Sequence, residues 1–107
     1  MKSIYIIILS VFLFSCKKST PVTATITCDP AISYLNKVKP IFVTNCTASG
    51  CHDGNNYPSL ADYNVGRDAA QQIKAAVTRG IMPINSTLSA IDKAAIICWI
   101  DSGTRNN

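Results

Sequence analysis

The sequence predicts an all-α domain of about 80 residues, made of three to four short helices and the loops between them. Three observations carry this. Apolar residues recur at helical spacing in three segments, and these segments carry recognisable start or stop signals. No stretch alternates apolar and polar residues beside a hairpin turn, as paired strands would. A chain of 107 residues has room for one domain and not for two.

The N-terminal segment stands apart from that domain. From Met1 to Cys16, 12 of 16 residues are apolar. Lys2 forms a short positive region, and Ile4–Phe14 an apolar run of eleven residues interrupted only by Ser10. That is well short of the roughly 20 residues a spanning helix needs, and it reads as an export signal over residues 1–15. Leu13-Phe14-Ser15-Cys16 resembles a bacterial lipobox, with Leu at −3 and a small residue at −1. The resemblance implies cleavage before Cys16 and lipid attachment to it. Lys17 stands where Asp would resemble an inner-membrane retention signal, which favours the periplasmic face of the outer membrane. Residues 16–27 are rich in Ser, Thr and Pro and read as a linker, with Lys17 and Lys18 placed against anionic headgroups.

Within the domain, residues 28–107, Asp29-Pro30 can start the first helix as N-cap and first helical residue. Leu35, Val38, Ile41 and Phe42 follow at helical spacing, and Pro40 predicts a kink or two short pieces. Arg67–Arg79 reads as a second helix with Ile73, Ala76 and Val77 on one face and Gly80 as its terminator. The third begins at Ser89-Ala-Ile-Asp92, a variant of the capping box, and ends at Gly103. Its predicted inner stripe is Ile91, Ala94, Ala95, Cys98 and Trp99. Large apolar rings are few and Ala is plentiful, so a domain this small calls for a staple: a disulfide, a metal or a cofactor.

Charge and inventory exclude several functions. The chain carries ten Lys and Arg against six Asp, but from Cys28 onward the balance is seven to six. The excess sits in the N-terminal tail, and no basic cluster with interleaved aromatics points to nucleic acid. There is no Glu and one His, which removes the paired titratable groups most acid–base enzymes use, so no catalytic residues and no enzymatic activity are expected.

The chemistry lies in the cysteines: 16, 28, 46, 51 and 98. Cys46-Thr-Ala-Ser-Gly-Cys51-His52 is a CX4CH sequence, a longer form of the CXXCH haem-attachment motif. In that chemistry two thiols add to the haem vinyl groups and the adjacent imidazole ligates the iron. Five residues of helix turn through about 500°, which would put the two cysteines on different faces. The inserted residues must therefore bulge out, and Gly50 gives the backbone freedom for it. A local disulfide is the competing reading of Cys46 and Cys51, and a zinc site a weaker one for want of a fourth ligand. Met1 leaves with the signal, so Met82 is the one methionine of the mature protein, in the loop Gly80-Ile-Met-Pro83. A sole Met beside Pro, in a chain whose sole His follows a Cys, favours haem.

At these residues the sequence resembles class I cytochromes c. More narrowly, it resembles small bacterial monohaem lipoproteins with Cys-Asp-Pro at the start, Val-x-Pro-Ile-Phe before the motif, and Gly-x-Met-Pro after it. The corresponding residues here are Cys28-Asp29-Pro30, Val38-Lys39-Pro40-Ile41-Phe42 and Gly80-Ile81-Met82-Pro83, with Cys98-Trp99-Ile100 in the last helix before Gly103. Ile84 departs from the pattern, since class I cytochromes often have a second Pro there. The resemblance spans the whole domain. It implies one haem c per chain, bonded through Cys46 and Cys51 with iron ligated by His52 and Met82. It also implies crossing of the helices before the motif and at the C-terminus.

Such a protein carries electrons between redox partner proteins, anchored to the membrane through its lipid. The rival is a gas-binding or sensing lipoprotein in which Met82 yields its place to a small ligand. With Cys16, Cys46 and Cys51 assigned, Cys28 and Cys98 remain for a disulfide in an oxidising compartment. Arg79 and Tyr63 are candidates for haem propionate contacts. Arg79 equally suits a helix's last turn; for Tyr63 plain core packing is favoured, as it is for Trp99 and Phe42 over an electron-relay role.

Overall fold

The computed structural model describes residues 25–107. The signal segment, Cys16 and all but the end of the linker lie outside the described residues. The described chain is helical, with no strand: a π-helical turn, Tyr34–Val38, runs directly into α1, Lys39–Asn45. Then come α2, Tyr63–Asp68, α3, Ala70–Arg79, and α4, Ala90–Asp101.

The first helical unit does not start at Asp29-Pro30. Asp29 instead closes a local turn, its carboxylate accepting from the Ala31 N–H at 2.8 Å. Ser33 is the true N-cap, accepting from Asn36 N–H at 3.1 Å. The next donors are met from the far end of the chain. Asn107 accepts from Tyr34 N–H through its side chain at 3.1 Å and from Leu35 N–H through its carbonyl at 2.9 Å. Pro40 has no N–H to give a carbonyl one turn back. The turn before it is widened, with the N–H of Val38 reaching Ser33 O and that of Lys39 reaching Tyr34 O.

The helix predicted over 67–79 is two helices. Asp62 caps the first by accepting from Asn64 and Val65 N–H, and the chain steps at buried Ala69 before α3. Gly80 ends α3 in the left-handed conformation, φ 70°, as its position requires. In α4 the Ser89 hydroxyl accepts from Asp92 N–H at 3.0 Å. The Asp92 carboxylate faces Lys37 Nζ at 3.5 Å. The predicted inner stripe of α4 needs correcting. Ile91 is 72% exposed, whereas Ala95 to Ile100 are all buried. The first turn of α4 projects beyond the core, while its second half is enclosed.

The core is an aromatic cluster set between helices. Trp99 is fully buried, with Tyr34 at 5.2 Å and Phe42 edge-on at 6.0 Å between ring centroids. Its Nε1–H donates to Arg105 O at 2.9 Å, which ties the C-terminal segment to α4. The π-turn and α3 both pack on α4.

Cys28 and Cys98 form a disulfide with Cα atoms 5.2 Å apart, joining the entry of the domain to α4 across 70 residues. Closing a loop of that length removes unfolded-chain entropy worth roughly 4 kcal/mol. Cys28→Ser with Cys98→Ala should therefore lower the urea midpoint substantially without loss of helical content. Thiol alkylation of the unreduced, denatured wild type should label neither cysteine; labelling of both contradicts the pairing.

Candidate functional site

Cys46 is the C-cap of α1, its N–H still bonded to Phe42 O at 2.8 Å. Beyond it the chain leaves helical geometry. Cys51 N–H turns back to Ala48 O at 2.8 Å, with Gly50 at φ 81°, and His52 N–H donates to Cys46 O at 2.9 Å. In an uninterrupted CXXCH helix that last bond would join residues four apart. Here it spans six, and the two extra residues are folded out of the way. The bulge expected from the spacing is present, at the glycine expected to permit it.

Polar side chains beyond the motif tie this bulge down. Asp53 Oδ2 accepts from Gly50 N–H at 3.3 Å, and Asp53 Oδ1 from Asn55 N–H at 3.2 Å. Asn56 Nδ2 donates to both Gly50 O, at 2.9 Å, and Cys51 O, at 3.0 Å. The N–H groups of Asn55 and Gly50 hold the Asp53 carboxyl below the usual carboxylate range. Leu60 N–H bonds His52 O at 3.0 Å, so the chain after the motif folds back over it.

A second segment closes on the first. After Gly80 the N–H groups of Ile81 and Met82 both reach Ala76 O, at 3.0 and 3.5 Å. The Met82 loop is thus pinned to the end of α3. The Met82–Pro83 peptide is cis.

Cys46, Cys51, His52 and Met82 all line one cavity of about 750 Å³. That volume falls in the range of cofactor pockets, roughly 300–1,000 Å³. Its walls are Phe42 from α1, Leu60 from the loop, and Ile73, Ala76 and Val77 from α3, with neutral Asn45, Asn56, Gln72 and Ser86 among them. None of the described residues lining it is Asp, Lys or Arg. Cys46 and Cys51 are free thiols, not a local disulfide. Burial, with Cys51 beside it, pushes the Cys46 thiol up to about 11, so it stays protonated at neutral pH. His52 Nδ1 is buried and has no hydrogen-bond partner.

The remaining candidates lie elsewhere. Arg79 sits with Gln71, Lys74 and Thr78 along a shallow groove on α3, apart from the residues lining the cavity. The Tyr63 hydroxyl donates to Thr104 O at 2.6 Å, and its ring packs edge-on against Tyr34. Trp99 stands behind Phe42 and does not line the cavity. Asp53 and Asn56 belong to a turn-rich run, Asp53-Gly-Asn-Asn56, directly after the motif, and this run is the one sequence signal for them.

Comparison with protein families, curated proteins and solved structures finds no significant match.

Proposed function

We propose that this chain is a monohaem c-type cytochrome that carries electrons, with haem bonded through Cys46 and Cys51 and iron ligated by His52 and Met82. The observation that carries the reading is that these four side chains, from two separate segments, line one cavity. When bound, haem supplies one-electron exchange between ferric and ferrous iron.

Several features of the chain fit that group. Two unpaired thiols are available for thioether bonds. The partnerless Nδ1 of His52 marks an imidazole whose needs the chain alone leaves unmet. A buried polar atom in that state costs about 1–3 kcal/mol, a penalty that ligation of a metal at that nitrogen would remove. Among the described residues no three His, Cys or Asp cluster as metal ligands. Iron in a porphyrin needs only two ligands from the protein, and His52 and Met82 meet that number. With both bound to iron, no position would remain open for a substrate.

Phe42, Leu60, Ile73 and Val77 give the cavity an apolar inner wall. With haem bound there, the soft thioether of Met82 would favour the ferrous form relative to a second His. Lipidation at Cys16 would hold the domain at the periplasmic face of the outer membrane, where redox proteins are its partners.

The test is the absorption spectrum of protein made with the haem-attachment machinery. Low-spin, six-coordinate spectra in both oxidation states, with no rapid reaction of the reduced form with CO, are the expected result. Fast CO binding would favour the gas-binding function, and absence of a Soret band would rule out both.

A further inference from the structure

We propose that Asp53 and Asn56 are positioning residues for haem attachment: they clamp the enlarged motif loop so that Cys51 and His52 are presented to the cavity together with Cys46. This rests on the haem reading above.

A CXXCH motif is one helical turn, and the backbone bonds of that turn place its two thiols and its imidazole. Residues 46–52 have no such turn. Within the loop the backbone makes one closing bond, Cys51 N–H to Ala48 O, and one register bond, His52 N–H to Cys46 O. That leaves the peptide groups around Gly50, in a left-handed conformation, without backbone partners in a loop that is exposed.

The clamp supplies them. Asp53 takes the Gly50 N–H, while the Asn56 amide reaches the two successive carbonyls of Gly50 and Cys51. These bonds fix both peptides that flank the second thiol. Asn56 also lines the cavity, so the residue that sets the loop is in place to report on what fills it. Asp53 is in turn fixed by Asn55, which donates to it from backbone and side chain.

The clamp depends on the amide being a donor. Asn56→Asp keeps the shape but replaces a donor facing two carbonyl oxygens with a third oxygen. Attraction becomes repulsion at the point that orients Cys51. Asn56→Asp, and more mildly Asp53→Ala, should lower the yield of haem attached through both thioethers. Of the haem that does attach, a larger share should be held by one thioether, through Cys46, as read from the pyridine haemochrome band.

The full-length protein is expressed with the haem-attachment machinery as wild type, as Asn56→Asp, and with Ala48 and Ser49 deleted to restore CXXCH spacing. In the deletion background the loop is one turn, the clamp has nothing to hold, and Asn56→Asp should no longer reduce two-thioether attachment. A role confined to general stability would give the same loss in both backgrounds. The proposal is overturned if Asn56→Asp attaches haem through two thioethers at the wild-type yield. It is equally overturned if the loss persists undiminished after the deletion. Wild type that takes up no haem at all would instead remove the haem reading, and the clamp's role with it.

Discussion

Met82→Ala should lower the reduction potential, open the ferrous iron to CO, and leave the covalently bound haem in place. The shift expected is on the order of 0.1 V or more, part of the roughly 0.8 V over which axial ligands set haem potentials. Met82 lines the cavity with His52, held by a loop that two N–H groups anchor to Ala76 O. The sequence holds few substitutes: there is no second His, and Cys28 and Cys98 are bonded to each other. Lys74 is committed to Asp101 on the surface. The weak sulfur-to-iron charge-transfer band of the ferric protein should vanish in the variant. A variant that keeps its potential and stays closed to CO would show that another residue ligates the iron.

Trp99→Ala should cost about 3–5 kcal/mol, the range for removing a buried aromatic side chain. A domain of this size has roughly 4–12 kcal/mol in total, so the variant sits near the edge of folding. Two losses combine. The indole is fully buried among Tyr34, Phe42 and Tyr63, and its N–H holds Arg105 O. Arg105 leads to Asn107, which caps the π-turn through Tyr34 and Leu35 N–H, and its guanidinium donates to Pro30 O. Damage at Trp99 therefore spreads to both ends of the domain. Trp99→Phe keeps most of the ring and loses the hydrogen bond, and should cost about 1–2 kcal/mol, near the worth of a buried bond left unmade. Urea unfolding of the two variants separates packing from the hydrogen bond. Equal midpoints would contradict this division.

What could be read from the sequence was what depends on neighbours along the chain. Ser89 and Asp92 announce α4, Gly80 announces the end of α3, and the spacing of Cys46 and Cys51 demands a bulge at Gly50. Each is a short-range constraint, and each appears in the structure. Apart from the Cys28–Cys98 bridge, which the assignment of the other three cysteines left as the remaining pair, long-range partners were invisible. Ser33 takes over from Asp29 as the helix start because Asn107, from the other end of the chain, supplies acceptors to the next two N–H groups. The exposure of Ile91 follows from how far α4 extends past its packing partners, which periodicity does not encode. The Tyr63 hydroxyl is claimed by a carbonyl 41 residues away. At the site, the residue types pointed to the chemistry, but the meeting of Met82 with the motif depends on tertiary structure. The uncharged lining of the cavity is likewise a property of the assembled walls.

Covalent attachment of haem through Cys46 and Cys51 is decided by the mass of the denatured protein. Wild type made with the haem-attachment machinery should keep its colour through acid–acetone extraction and be heavier by the mass of one haem. Cys46→Ala with Cys51→Ala should lose both properties. Haem that leaves wild type intact on extraction, with the polypeptide at its apoprotein mass, would contradict thioether attachment at these two residues.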